Sequence, residues 1–508
     1  MSRIQNAKKN IIYGYIGTLI NLLLKFLSRT VFIYILGATY LGINGLYTNI
    51  LSVLSFAELG IGTAMNYSLY KPVATNDNET IKSLMRLYKI AYRWIAAIVA
   101  ILGIIIIPFL EYIVKDPGNI SRSELVTYYI IFLFNTVTSY LVTYKYSLAN
   151  AEQKNYIQTN IKTTSTIITI IVQIIVLFIF RNFLVYLLVE SFIGIVEKLF
   201  ANYYLNNRYK ILLEKNIKNL QKEEIKPIKK NISALIFHKI GEISVYQSDN
   251  IIISSFINIT VVGIISNYNL VISSIMQLIN IVFNSLVSSF GNLIATETIH
   301  KQLKLFKVYR FIAFWIFGFS SIAFIILLTP FVELWIGKDL IIENSVLFLI
   351  IFDFYVKGHR IAINNFKVAA GVFEADKYVA IIQAIVNIII SIILVQWIGL
   401  SGIFVGTVIQ GLISTFTKPI IVYSRVFKKS AKEYYIDSVY YLIILGVTLT
   451  ILEGLKYFIL SELNWVRFFI MAITLSIIVN LIFLITLRNR EELIYLKNIL
   501  FNKNRRGI

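Results

Sequence analysis

Two pairs of basic residues interrupt long apolar runs of this sequence. Lys25 and Arg29 lie four positions apart and Lys357 and Arg360 three, so each pair shares one face of a helix. An ionised side chain in the middle of a membrane helix costs about 2.5–3.5 kcal/mol on insertion scales and rarely faces lipid. Arginine binds phosphate oxygens through two parallel hydrogen bonds, and lysine adds a point charge. The pairs therefore indicate a site for an anion with more than one charge, such as a diphosphate.

Structural interpretations compete with this one at several charged positions. Asp353 precedes Lys357 by four residues, and His238 precedes Glu242 by four, so each combination can form an intrahelical pair that eases insertion. Basic residues near the end of an apolar run can instead extend to the membrane surface, which is the alternative for Lys145, Lys198 and Lys239.

The composition places these charges in a membrane protein. The 508 residues are 57% hydrophobic and 15% charged, with a mean hydropathy of +0.74, whereas a soluble domain has about 25% charged residues. There is no cysteine, which excludes disulfides, thiol nucleophiles and thiolate-ligated metals. We therefore expect an all-α polytopic membrane protein.

Fourteen apolar windows have about the 20 residues that a transmembrane helix needs. Two of them are long enough to be kinked or tilted, namely 42–69 and 262–294. The other predicted spans are 11–36, 92–114, 124–148, 157–180, 183–205, 233–257, 309–330, 344–366, 378–397, 400–423, 436–458 and 465–487.

The distribution of basic residues sets the predicted orientation. The net charge is +21, and of the 48 lysines and arginines, 35 fall on the side that holds both termini, six on the other side and seven within the spans. By the positive-inside rule both termini are cytoplasmic. Most of the positive charge is therefore explained by topology, and we expect no nucleic-acid partner.

An internal repeat predicts two lobes. Gly45-Leu-Tyr-Thr-Asn49 is echoed by Gly263-Ile-Ile-Ser-Asn267, and two further matches have nearly the same offset of 217–222 residues. An offset of six spans preserves direction across the membrane, so the repeats are parallel. The expected organisation is a six-helix lobe at 1–206, a cytoplasmic linker at 207–232, a second six-helix lobe at 233–428, and two helices with a basic tail at 429–508.

Catalytic motifs are absent from the sequence. It contains neither a G-x-x-x-x-G-K-[ST] phosphate loop nor an H-E-x-x-H motif. Its three histidines are too scattered to form a zinc site, and the outer loops are too short for a catalytic domain. We therefore predict no enzyme activity, no metal site and no bound cofactor.

The segment Glu79–Tyr92 is amphipathic. Ile81, Leu84 and Tyr88 recur at helical spacing, with basic residues between them. This pattern is typical of a helix lying on the inner membrane surface, and a solvated connector is the alternative.

Several short motifs, in their order and spacing, resemble those of one membrane protein family. They are Phe56-Ala-Glu-Leu-Gly-Ile-Gly62 with Leu69-Tyr-Lys-Pro72, Asp249-Asn-Ile-Ile-Ile-Ser254, Trp335-Ile-Gly337, Gly371-Val-Phe-Glu-Ala-Asp-Lys-Tyr378, Asn387, Gly399-Leu-Ser-Gly402, Gly406-Thr407 and Pro419. Over residues 5–430 the chain resembles the Wzx-type flippases of lipid-linked oligosaccharides, within the multidrug/oligosaccharidyl-lipid/polysaccharide exporter (MOP) superfamily.

The resemblance implies a fourteen-helix, two-lobed transporter of the bacterial plasma membrane. Its substrate would be an undecaprenyl-diphosphate oligosaccharide, moved from the inner to the outer leaflet for surface polysaccharide synthesis. Polysaccharide polymerases and glycosyltransferases would be its partners. By the family's pattern, basic residues in spans 1, 7 and 10 (windows 11–36, 233–257 and 344–366) would meet the diphosphate and sugars. These correspond here to Lys25, Arg29, Lys239, Lys357 and Arg360.

Transport of a charged substrate needs a driving force, since moving one elementary charge is worth about 2.3 kcal/mol per 100 mV. Glu58, Glu242 and Asp249 lie within spans and are candidates for coupling to protons or sodium ions. For Glu58, which Gly60 and Gly62 follow, hydrogen bonding at a helix break is the alternative.

Three other functions stay open. A peptidoglycan-precursor flippase would also recognise a lipid diphosphate. A multidrug–cation antiporter of the same superfamily would need an acidic cavity, which the two basic pairs disfavour. A membrane glycosyltransferase or polymerase would need larger outer loops.

Overall fold

The fold is helical throughout the residues that the structure describes. The structure is a computed structural model of the chain and describes residues 3–214, 217, 220, 247–372, 375 and 378–502. It divides into two compact units, Met1–Ser266 and Asn267–Ile508. The linker predicted at 207–232 lies mostly outside the described residues, and the two-lobe organisation stays a prediction.

The first unit contains helices α1 to α8 and the beginning of α9, and residues 247–256 in it are also helical. The labelled helices are α1 Arg3–Leu36, α2 Ala38–Leu54, α3 Phe56–Thr75, α4 Asn78–Ile106, α5 Leu110–Ile113, α6 Arg122–Ala151, α7 Tyr156–Phe180, α8 Phe183–Arg208 and α9 Ile259–Ser285.

The second unit begins within α9 and continues to the C-terminal side. Its helices are α10 Val287–Thr296, α11 Ile299–Ile336, α12 Asn344–His359, α13 Ile361–Ala369, α14 Val379–Ile398, α15 Leu400–Val422, α16 Lys432–Ile459, α17 Trp465–Thr486 and α18 Glu491–Asn502.

Ten helices in the described residues are long and apolar enough to cross a membrane, so the protein is a multi-pass membrane protein. Each matches one of the fourteen predicted windows. Three further windows contain shorter, broken or more polar helices. Window 42–69 is interrupted at Ser55 and window 344–366 at Arg360, while 183–205 forms α8. The fourteenth, 233–257, lies largely outside the described residues.

The amphipathic segment Glu79–Tyr92, which precedes the predicted span 92–114, is part of a long helix. Helix α4 runs without a break from Asn78 to Ile106, so this segment is neither a separate surface helix nor a connector. Its apolar face packs into the first unit, where Ile81, Leu84 and Tyr88 are buried. Tertiary burial of that face, rather than contact with the membrane surface, explains the periodicity.

Asp77 begins α4 as its N-cap. Its carboxylate accepts a hydrogen bond from the Thr80 hydroxyl at 2.7 Å and another from the Thr80 backbone N–H at 3.1 Å. These bonds favour the ionised form and lower the pKa of the Asp77 carboxyl.

Two glycines allow α2 and the start of α9 to cross with their backbones in contact. A Cβ at Gly42 would overlap the carbonyl oxygen of Ile259, and a Cβ at Gly263 would overlap that of Ala38. The hydroxyls of Thr39 and Thr260 meet at 3.0 Å beside this crossing, 221 residues apart in sequence.

The crossing is self-complementary. Gly42 of α2 contacts Ile259 of α9, and Gly263 of α9 contacts Ala38 of α2. Gly42 is therefore equivalent to Gly263, and Ala38 to Ile259, in the two helices. The shared offset of 221 residues lies within the 217–222 range of the sequence repeat.

The segment before α9 also attaches to the loop after α5. The Ser254 hydroxyl donates to the Ile113 carbonyl at 2.5 Å, and the Lys115 N–H donates to the Ser254 carbonyl at 3.2 Å. The Ile259 N–H in turn donates to the Lys115 carbonyl at 3.1 Å. These hydrogen bonds attach the segment before α9 to the rest of the first unit.

A buried ionic cluster in the second unit joins α16 to α11 and to the turn before α18. Asp437 on α16 accepts from Arg310 at 3.5 Å and from Arg490 at 3.0 Å. The Arg310 guanidinium stacks 3.8 Å from the Tyr434 ring and donates to the Ser438 hydroxyl at 2.8 Å. Arg310 is 2% exposed, and the carboxylate and the aromatic ring compensate for its burial.

The glycine crossing makes a stability prediction. Gly42→Ala should destabilise the protein by about 1–3 kcal/mol, because the new methyl group forces two backbones apart. Gly45→Ala is the matched control, since a Cβ there meets only the Val262 side chain at an ordinary 3.7 Å. Thermal unfolding of the purified protein in detergent measures both, and equal melting temperatures for the two variants would contradict the close crossing.

Candidate functional site

The basic face predicted on the first span is present on α1. Lys25 is exposed, and Arg29, one turn further along, is partly buried. The Arg29 guanidinium donates from Nη1 to the Ser266 hydroxyl at 2.7 Å. None of the carboxylates that the structure describes forms an ion pair with either residue. A guanidinium held by a neutral hydroxyl retains its charge and its remaining donors for an anion.

A polar chain continues from Arg29 towards α8. Tyr186 lies near Arg29 and Ser28, and its backbone carbonyl accepts a hydrogen bond from the Gln173 amide at 3.4 Å. The Gln173 amide donates to the Glu190 carboxylate at 3.4 Å. Helices α1, α7 and α8 therefore share one polar network inside the apolar part of the first unit.

Glu190 is a site residue that the sequence analysis missed. It is an acidic residue inside the apolar run 183–205, and its position alone could have identified it. Its separation from Arg29 by Tyr186 could not be read from the sequence, because it depends on how three helices pack.

Two further lysines in the first unit are held by neutral acceptors. Lys145 is buried, and its ammonium donates to the side-chain oxygens of Asn202 and Asn206. Lys198 on α8 donates to two groups of α6, the Thr138 hydroxyl at 2.8 Å and the Asn135 carbonyl at 3.2 Å. Both lysines therefore make hydrogen bonds between α6 and α8, in addition to any extension of their side chains towards the membrane surface.

The acidic candidates have different surroundings. Glu58 lies in the first turn of α3, just after the break at Ser55, where a carboxylate is favoured by the helix dipole. The Tyr140 hydroxyl lies beside Glu58 and donates to the Ser55 hydroxyl at 2.7 Å. Asp249 is partly buried in the helical segment 247–256. Lys239 and Glu242 lie outside the described residues.

In the second unit, Asp353 and Lys357 form an intrahelical ion pair. The Lys357 ammonium lies 2.6 Å from Oδ2 of Asp353, and both side chains are largely buried. The other carboxylate oxygen, Oδ1, has no hydrogen-bond partner among the described residues. The intrahelical ion pair that the sequence suggested is therefore present in the structure, and Oδ1 of Asp353 is left as a hydrogen-bond acceptor.

Arg360 lies where the helix breaks between α12 and α13. Its guanidinium donates to the carbonyl of Val356 at 3.2 Å and to that of Gly411 at 2.8 Å. One turn further along, the Asn364 amide oxygen accepts from Lys418 of α15 at 3.0 Å. The interhelical layer between α12–α13 and α15 therefore carries Lys357, Arg360 and Lys418.

Lys418 is a second residue that the sequence analysis did not recognise as part of the site. It falls within window 400–423, near its end. Only the packing of α13 against α15 brings it to the polar face of span 10.

In the part of the chain that the structure describes, no group of three or more histidine and carboxylate side chains is arranged to hold a metal ion. The grouped charges are basic residues with neutral acceptors and single carboxylates. This arrangement is suited to binding an anion.

No family model matches the sequence, and no curated protein matches it. Solved structures match the fold. The chain is similar to "Lipid II flippase MurJ, inward closed conformation" at 16% identity and a TM-score of 0.65, covering 94% of this chain and 99% of that one. It is also similar to the inward-facing conformation of a multidrug resistance MATE family transporter of the MOP superfamily, at 15% identity and a TM-score of 0.60, covering 79% and 92%.

A third similar structure is a MOP superfamily transporter from Pyrococcus furiosus, with 15% identity, a TM-score of 0.51 and coverage of 85% of this chain and 98% of that chain. The protein therefore has the fold of the MOP superfamily. The structures that it resembles are transporters and not enzymes.

The Asp353–Lys357 pair makes a second prediction. Lys357→Gln should destabilise the protein by about 3–5 kcal/mol, because it leaves a buried carboxylate without its ion-pair partner. Adding Asp353→Asn should recover much of that loss. Unfolding temperatures of both variants in detergent test this coupling, and a double variant as unstable as the single one would contradict it. Lys456→Gln breaks the more exposed pair with Glu453 and should change little.

Proposed function

We propose that this MOP-fold transporter flips an undecaprenyl-diphosphate-linked oligosaccharide from the inner to the outer leaflet of the bacterial plasma membrane. The observation that carries the proposal is the state of Arg29, a partly buried guanidinium inside an apolar helix that is held by the Ser266 hydroxyl. A diphosphate would supply the negative charge that this position lacks.

The neighbouring residues support an anionic substrate. Lys25 precedes Arg29 on the same face of α1 and is exposed, so it can add a second positive charge without breaking an existing pair. Arginine provides the directed hydrogen bonds to phosphate oxygens and lysine the point charge. Sugars would contact hydroxyl and amide groups, such as those of Tyr186 and Gln173.

The second unit supports the same charge preference. Lys357 is paired with Asp353, while Arg360 donates to the backbone carbonyls of Val356 and Gly411 and Lys418 donates to the side-chain oxygen of Asn364. Lys239 belongs to the same proposal by its position in the sequence.

Two other substrates, a peptidoglycan precursor and an organic cation, differ in how well the observations support them. The lipid II flippase covers nearly the whole chain in the structural match, so a peptidoglycan precursor is the second candidate substrate. An organic cation is disfavoured by the excess of basic groups. For the Pyrococcus furiosus transporter, a reversed polarity of the binding pocket is described as suggesting a different function.

By the positive-inside rule both termini are cytoplasmic in the proposed cycle. By the family resemblance, glycosyltransferases and polysaccharide polymerases would act before and after the flipping step, respectively. The coupling ion would be a proton or sodium bound at a carboxylate. Glu58, Glu190 and Asp249 are the described candidates, and Glu242 is a candidate by its sequence position.

The test is flipping of a fluorescent undecaprenyl-diphosphate oligosaccharide in proteoliposomes, measured by the fraction of label that a membrane-impermeant quencher reaches. Arg29→Gln should lower the initial rate about tenfold or more, because it removes a charge-assisted hydrogen bond to phosphate. Arg122→Gln, which changes an exposed arginine paired with Glu111, is the matched control.

Labelled lipid II and an organic cation are assayed in parallel. Faster movement of lipid II would make the second candidate the substrate. Movement of the cation alone, or an unchanged rate in a correctly folded Arg29→Gln protein, would contradict the anionic site.

A further inference from the structure

A second group of basic side chains lies in the first unit, away from Arg29. Lys89 and Arg93 are exposed on one face of α4, at the predicted cytoplasmic boundary of the span 92–114. The rings of Tyr92 on α4 and Tyr140 on α6 pack with their centroids 6.3 Å apart, and Lys89 and Lys145 lie about one turn from this contact on the cytoplasmic side of the two antiparallel helices. Lys145 is only 6% exposed. The Lys145 ammonium lies 5.8 Å from the centroid of the Tyr144 ring, which is also within electrostatic range of Arg93. Helices α4 and α6 thus bring three positive charges together.

These three charges are not neutralised by any carboxylate that the structure describes. The Lys145 ammonium is held by Asn202 and Asn206, with the Asn206 oxygen at 2.5 Å. Both acceptors are neutral amides of α8, so they fix the ammonium without cancelling its charge. Three like charges placed near each other favour the binding of an anion between them.

Two other basic residues, in the preceding turns of α4, have partners among the described residues. Lys82 pairs with Glu79 at 2.9 Å and with Glu214 at 2.5 Å, and Arg86 donates to the Ile217 carbonyl at 3.3 Å. Residues after α8 therefore contact the first two basic positions of this face. Lys89 and Arg93 come next on the face and are exposed.

An exposed apolar track starts beside these two residues. Its members recur at helical spacing along α4 and are 45–67% exposed: Ile90, Trp94, Ile98, Ile101 and Ile105. Ile90 and Trp94 directly follow Lys89 and Arg93 in the sequence. A tryptophan at this boundary is typical of the membrane–water interface.

We propose that Lys89, Arg93 and Lys145 form a binding site for a phosphate group carried by a membrane lipid of the cytoplasmic leaflet. The phosphate contacts Lys89 and Arg93, Lys145 adds charge from behind, and the lipid chain lies along the apolar track of α4. Cationic sites of this kind at the cytoplasmic membrane surface recognise anionic headgroups.

The site is separate from the proposed transport site on α1, so it does not depend on which substrate is flipped. Its phosphate can come from a bilayer phospholipid or from a polyprenyl diphosphate, and the two sources are distinguished below.

The experiment measures lipid retention by the full-length protein. Purified protein in phosphatidylcholine nanodiscs is exposed to vesicles of phosphatidylcholine containing either cardiolipin or undecaprenyl diphosphate, and bound lipid is counted by native mass spectrometry. Lys89→Gln/Arg93→Gln should weaken binding by roughly thirty-fold if each charge contributes as it does at a membrane surface. Both positions are exposed, so the fold should tolerate the change.

The matched control is Arg425→Gln/Lys429→Gln, which removes two exposed charges from the same predicted side of the membrane in the second unit. Loss of cardiolipin, of undecaprenyl diphosphate or of both in the α4 variant alone supports the site and identifies its source. Equal retention by the α4 variant and the wild type, or an equal loss in the control, overturns it. Lys145→Gln adds a second measure and should weaken retention in the same direction.

Discussion

An ionised side chain cannot remain uncompensated among apolar helices, and this constraint determines how the helices of each unit meet. In the first unit, Lys145 and Lys198 draw α8 against α6 through amide, hydroxyl and carbonyl acceptors. In the second, Arg310 and Asp437 tie α16 to α11, and Arg360 ties the α12–α13 break to α15. The compensating group is neutral as often as it is charged. That choice matters, because a neutral acceptor stabilises a cation without removing its ability to bind an anion.

Close contact between helix backbones is the second interaction that joins helices in the first unit. Where α2 crosses α9, Gly42 and Gly263 remove the side chains, so the helices meet through carbonyl groups and a pair of threonine hydroxyls. Small residues are common at such membrane interfaces because they allow dispersion and hydrogen bonds to act at short range. The equivalent positions used by both helices agree with an internal repeat in the sequence. Ser266, one turn after Gly263, is the residue that holds Arg29, so the crossing also sets the position of the proposed anion site.

The balance of charge distinguishes the proposed substrate from the others that a MOP fold can serve. The fold by itself is shared with multidrug and lipid II transporters and does not choose between a cation and an anion. The choice lies in particular residues: Arg29 bound to a hydroxyl, Arg360 bound to a carbonyl, and Lys418 bound to an amide. The lipid-phosphate site on α4 follows the same logic, with Asn202 and Asn206 in place of carboxylates.

The sequence by itself determined the helical membrane class and ten of the spans that the structure describes, because apolar length is a property of local composition. The orientation that the basic residues indicate stays a prediction. It also identified Lys25 and Arg29 as one face, because helical spacing is local. It did not identify Glu190 or Lys418 as site residues, and it interpreted residues 79–92 as a surface helix or connector. Only the tertiary structure decided those points, along with the interhelical partners of buried residues such as Arg310 and Lys145. Each depends on which helices pack together, and that contact is made between residues distant in the chain.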